Sequence, residues 1–211
     1  MFDIHKYSLP MSHTWFASQR YRLAPAPGGL GLVQDFLNTV GIGDYGPDLL
    51  ADPELGRTWA AQAGETWSAE QGIEATPPVL SDADVAKLHG LRETIAKLVA
   101  GQSVRVSSGG AVSASFAVSE SGDVRLEPVG GGWRWYAAAL WTEILRSQQV
   151  DTWRRIKRCR NPECASTFYD RSKNNSGVWH DVKTCGNAAN LRASRARRRG
   201  TGPELDATSC R

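Results

Sequence analysis

The residues able to do chemistry lie near the C-terminus: Cys159-Arg-Asn-Pro-Glu-Cys164 and His180-Asp-Val-Lys-Thr-Cys185. As spacing they read C-x4-C-x15-H-x4-C. Thiolate and imidazole in two close pairs suit a tetrahedral Zn²⁺, which takes sulfur and nitrogen ligands and imposes no geometry of its own. The intervening chain is long enough for a short hairpin that brings the second pair back to the first. Four protein ligands, Cys159, Cys164, His180 and Cys185, close the shell, so one structural ion is expected and no water position remains. A zinc hydrolase needs an open position and a nearby general base; the cluster offers neither, so no enzyme is expected. A segment this small has little core, and metal binding would supply much of its folding free energy. Cys210 is the alternative fourth ligand, but it lies beyond a Gly202-Pro203 break. A disulfide is disfavoured in a reducing compartment.

A basic run follows the cluster. Arg192, Arg195 and Arg199 recur at i, i+3 and i+7, one stripe of a helix that Arg198 extends. Ala188, Leu191 and Ala196 are expected to pack that helix onto the hairpin. Residues 151–211 hold 14 Lys+Arg against 6 Asp+Glu, whereas residues 1–150 are acidic overall, at −5. An acidic body with a basic end implies that the end faces a polyanion. The stripe, with Arg171, Lys173 and Lys183, is the candidate phosphate-contacting surface. Base readout would come from one or two arginines to guanine. DNA is the expected partner. RNA would be favoured if Phe168, Tyr169 and Trp179 formed a stacking platform rather than the finger's core.

The rest of the chain must position this cluster. No run of about 18 apolar residues is present, and Met1-Phe-Asp-Ile-His-Lys-Tyr7 does not read as a signal peptide, so no membrane partner and a cytoplasmic location are expected. Residues 1–20 show no clear period and are expected to be a flexible N-terminus. Tyr21-Arg22-Leu23 reads as a short strand. Gly28, Gly29 and Gly31 read as a turn, without the pattern of a phosphate-binding loop. Leu32, Val33, Phe36, Leu37 and Val40 recur at helical steps. On that helix Asp35, Asn38 and Thr39 share a second face, read either as a solvated or locally bonded face or as the polar lining of a small-molecule pocket.

Asp52-Pro53-Glu54 is a helix start, with Trp59 and Trp67 on the period behind it. Ser81-Asp-Ala-Asp84 resembles a capping box before a long amphipathic helix ending near Gly101. On that helix His89 reads as a partly exposed side chain. From Val104 to Val129 the period changes to two, half-buried strands with a hairpin turn at Ser121-Gly122-Asp123. A helix from about Arg134 to Gln149 carries tryptophans expected in the core. Thr167-Phe168-Tyr169 and Val178-Trp179 are expected to pair as the finger's strands. The fold class is therefore α+β: helices around a small antiparallel sheet over residues 21–150, then a zinc-ribbon or treble-clef-like finger over 151–200 and a flexible tail over 201–211.

From Arg158 to Arg199 the residues resemble the CGNR zinc-finger proteins of bacteria. The resemblance rests on the Cys159–Cys164 knuckle, Phe168-Tyr-Asp170, Trp179 before the third ligand, Cys185-Gly-Asn187, and Arg195-Ala-Arg-Arg-Arg199. Asp35-Phe-Leu-Asn-Thr39, the Trp59 helix and Leu91-Arg-Glu93 resemble landmarks of the ABATE domain that usually precedes such a finger. The resemblance implies a stress-related transcription regulator whose finger binds DNA. Three positions depart from the pattern. His180 replaces the usual third cysteine, which zinc accepts. Ala188 replaces the usual arginine, and Gly177-Val178 stand where basic residues are usual; both remove positive charge from the implied contact region. A second reading makes the N-terminal domain a ligand-binding or protein-interaction module, with a small-molecule effector and zinc as a staple. Sequence-specific readout normally takes two fingers, so a homodimer through the N-terminal domain is expected.

Overall fold

The computed structural model describes residues 15–43, 46–73, 76–104 and 111–200. Among them the fold is α+β, with six helices and two separate two-stranded antiparallel sheets. No helix of the described residues is long and apolar enough to cross a membrane.

The central element is α2, Leu30–Leu37, in which all eight residues are buried. A helix buried all round must satisfy its own polar side chains. Gln34 does so by accepting from the Ala26 amide at 2.5 Å and donating to the Ala24 carbonyl at 3.1 Å. Asp35 accepts from the Ser18 amide at 2.6 Å and from Trp59 Nε1 at 2.9 Å. Burial pushes the Asp35 carboxyl above its usual range, and these donors act against that. Asn38, just past the helix end, donates to the Thr167 carbonyl at 2.9 Å and accepts from the Thr167 amide at 2.8 Å. Thr39 donates to the Phe36 carbonyl and accepts from Arg92, which also grips the Asp48 carboxylate with both terminal nitrogens. Of the two readings of this polar face, the hydrogen bonds support the locally bonded one. Asp35, Asn38 and Thr39 are fully buried and hold neighbouring segments in place.

Around α2 pack α3 (Pro53–Gln71), α4 (Asp82–Val99) and α5 (Trp133–Gln149). Asp52 caps α3 as expected, accepting from the amides of Glu54 and Leu55, and Gly72 ends it at φ 63°. The capping box before α4 is present, with Ser81 and Asp84 exchanging side-chain-to-backbone bonds. The core tryptophans meet across helices. Trp67 and Trp135 lie edge to face at 5.5 Å, and Trp59 sits 5.5 Å from Phe36.

Three expectations change. Residues 15–20 are not a loose extension: α1 (Phe16–Gln19) packs with Trp15, Ala17 and Ser18 buried, because the Ser18 amide answers Asp35. Residues 1–14 and 201–211 lie outside the described residues. Tyr21–Leu23 is no strand, since Arg22 sits at φ 54°. Gly29 and Gly31 do more than turn the chain. A Cβ on Gly29 would meet the Glu143 carboxylate at 2.0 Å, and one on Gly31 the Trp15 ring at 2.4 Å, so both allow close approach.

The strands of the N-terminal domain are β1 (Ser113–Val118) and β2 (Val124–Val129), paired from Ser113↔Val129 to Val118↔Val124. They lie against α5 and are less buried than their alternation implies, with Phe116 77% exposed. Val104 is in no strand, and Val106 lies outside the described residues.

Asn38→Ala would leave both backbone groups of buried Thr167 without partners. At about 1–3 kcal/mol for each unsatisfied group, we expect a loss of about 2–6 kcal/mol. The measurement is urea unfolding, read as a lower midpoint at unchanged slope.

Candidate metal centre

The finger begins with β3 (Ile156–Arg158) and β4 (Thr167–Tyr169), paired Ile156↔Tyr169, Lys157↔Phe168 and Arg158↔Thr167. The first knuckle is the loop of this hairpin, closed by the Cys159 amide donating to the Ser166 carbonyl at 2.8 Å. Strand alternation divides the side chains. Ile156 and Tyr169 pack against the main core, whereas Phe168 packs with Cys159 and Cys185, joined by Leu23 and Trp179.

Val178-Trp179 is not the partner strand of β4. A single bond from the Arg160 amide to the Val178 carbonyl holds it beside the knuckle. The reason lies at Asp170. Its buried carboxylate accepts from Lys157 Nζ and the Gly177 amide at 2.7 Å each, and from the Ser172 amide at 2.9 Å. Lys157 also donates to the Asn175 and Gly177 carbonyls. Side chains thus capture the backbone groups a ladder would have used. Burial alone would raise the Asp170 carboxyl, but Lys157 and these amides outweigh it and hold it well below the usual carboxylate range. A Cβ on Gly177 would meet that carboxylate at 2.7 Å.

The segment held by Asp170 delivers His180. Asp181 then accepts from the Lys183 and Thr184 amides and opens a π-turn, Val182–Gly186, which carries Cys185 and leads into α6 (Asn187–Gly200). The ligand atoms of Cys159, Cys164, His180 and Cys185 all lie within 4.8 Å of one another. His180 Nδ1 is 3.3 Å from the Cys164 sulfur and 3.6 Å from that of Cys185. A tetrahedral ion with Zn–S of about 2.3 Å and Zn–N of about 2.05 Å places sulfur and nitrogen about 3.5 Å apart. The donor set fits one structural zinc ion. The three described cysteines form no disulfide, and Cys210 lies outside the described residues.

Polar neighbours orient the ligands. Asn161 donates to the Cys185 sulfur at 3.2 Å, Ser166 lies 3.0 Å from that of Cys164, and Arg192 donates to Asn161 Oδ1 and to Glu163. Burial pushes the Cys159 thiol up to about 12, against which the amides of His180 and Asn161 act. A sulfur in that setting gives up its proton when a cation takes its place, so metal uptake releases protons.

The structure sorts the basic residues differently from the helical stripe. Arg192 serves the knuckle. Arg171 donates to the Pro25 carbonyl at 2.6 Å and covers the Tyr169 ring, tying finger to body. Arg171 stays exposed, and the Arg192 side chain is 37% exposed while it makes these contacts. Lys173, Lys183, Arg195 and Arg198 are exposed, and the Arg199 side chain lies outside the described ones. Leu191 is 57% exposed, so it does not pack α6 onto the hairpin. The sequence pattern did not assign the contacts of Asn161, Asp170, Gln34 or the Arg92–Asp48 pair. Asp170-Arg-Ser172 was a readable signal, an Asx-turn at a strand end.

Residues 155–198 match the CGNR zinc finger, and residues 30–148 match ABATE, described as a putative stress-induced transcription regulator. No curated protein matches the chain.

Purified protein is expected to carry one zinc per chain by elemental analysis. Cys159→Ser and His180→Ala should lose it, Cys210→Ser should keep it, and Asn161→Ala should weaken retention about 10–100-fold against a chelator.

Proposed function

We propose that this chain, which belongs to the ABATE family of putative stress-induced transcription regulators and ends in a CGNR zinc finger, binds DNA through the exposed basic side of that finger. The supporting observation is the placement of α6. It leaves the metal centre through the π-turn, packs on that turn, and presents Arg195, Arg197 and Arg198 to solvent. Lys183 lies on the turn itself and Lys173 on the loop before it. The zinc ion and the Arg192–Asn161 contact fix the start of this helix, so the cations are presented from a rigid base. Four protein ligands leave the ion no position for substrate, which supports a role in binding rather than catalysis.

The five exposed cations Lys173, Lys183, Arg195, Arg197 and Arg198 are the candidate phosphate contacts. The expected log–log dependence of affinity on salt is then about −4.5, at about −0.9 per contact. In a shift assay with full-length protein, Arg195→Ala should weaken binding to all sequences and lower that slope by about 1. The shifted complex should contain two chains, since one finger reads few bases. No shift at about 50 mM salt, or a shift indifferent to salt, would count against the proposal. An RNA duplex or single strand bound more tightly than DNA would redirect it.

A further inference from the structure

A cleft of about 320 Å³ opens where the helical body meets the finger, between α4 and the β3–β4 hairpin. Leu37, Val40, Ala96 and Ala165 give it an apolar wall. The charged side chains around that wall are unevenly matched. Arg92 is already bonded, to Asp48 at 2.8 and 2.6 Å and to Thr39 at 2.9 Å. His89 faces Glu93 at 4.0 Å along α4. Arg158 is exposed at the mouth and has no carboxylate partner among the described residues.

A complementary ligand would bring one negative charge to Arg158 and an apolar body to the four aliphatic side chains. Asp48 and Glu93 stand in the same wall and would repel a dianion such as a phosphate monoester. A guanidinium offers paired donors that match a carboxylate. The volume is at the small end for ligand sites. We propose that this cleft binds a small apolar monocarboxylate, aliphatic or aromatic, with its carboxylate on Arg158.

Such a ligand touches α4 on one side and Arg158 and Thr167 on the other. Those two residues are register partners, and Thr167 is the residue held by Asn38. The ligand would therefore bear on how the finger is seated. The site itself stands without the DNA-binding reading; its regulatory consequence rests on it.

The test uses full-length, zinc-loaded protein, with benzoate and octanoate as probes and benzamide as the neutral control, followed by calorimetry or ligand-observed NMR. At least one acid should bind, and benzamide should bind about tenfold more weakly than benzoate, the scale of one hydrogen bond to a charged group. Arg158→Gln should abolish the difference between benzoate and benzamide. Ala96→Phe should fill the cleft and remove binding, with far-UV circular dichroism and a cooperative urea transition confirming that the body of each variant is folded. No binding of either acid at about 10 mM, or binding unchanged in both variants, overturns the site. DNA affinity is then measured with and without saturating acid. A change of about threefold or more supports coupling, and an unchanged affinity with the acid bound overturns it. Absence of DNA binding with intact acid binding counts against the DNA reading alone.

Discussion

Asn38 places a primary amide at the end of a helix that has no exposed residue, and that amide takes both backbone groups of Thr167 in the finger. It does for β4 what a neighbouring strand would do. Few side chains could replace it. The position needs a donor and an acceptor on one short, planar group; aspartate lacks the donor, and glutamine adds a methylene. Because Thr167 is buried, neither of its groups can turn to water instead. Gln34 uses the same device on Ala24 and Ala26, and Asp35 on Ser18 and Trp59. The central helix thus organises the body through apolar contacts and the chain crossings through amides and carboxylates.

This changes how the finger is held. Its two halves have different supports. β3 and β4 are fixed by the body, through Ile156 and Tyr169 in the main core, the Asn38 amide, and Arg171 on Pro25. The second half, from His180 into α6, depends on the metal centre and on the side chains that orient its ligands. Asp170 joins the halves by shaping the loop between them. Zinc is then one of two fastenings, and it acts on the part of the finger that carries the exposed cations. The cleft beside Arg158 lies at the other fastening.

Much of this was legible in the chain. Ligand spacing read the metal centre, because thiolate and imidazole at those intervals have few other uses. Cap residues read the starts of α3 and α4, since a cap is a local contest among four or five residues. What the sequence hid were long-range pairings. Asp35, Asn38 and Thr39 looked like a polar face, and nothing local says that Asn38 reaches Thr167, 129 residues away. The strand partner of β4 was misread because Asp170 and Lys157 capture the backbone of the returning segment. Periodicity does not register a buried carboxylate that competes with a ladder. The arginine stripe hid a pairing in the same way. Helical spacing assigns a face but not a neighbour, and Arg192 turns to Asn161 and Glu163.

The central claim is that the body and the first half of the finger form one cooperative unit joined at Asn38 and Thr167. Native-state hydrogen exchange of the zinc-loaded protein tests it most directly. The account predicts that the Thr167 amide and its neighbours in β4 exchange with the same opening free energy as the amides of α2. Exchange of β4 at a much lower free energy than α2, as a unit that opens while the body stays closed, would contradict it.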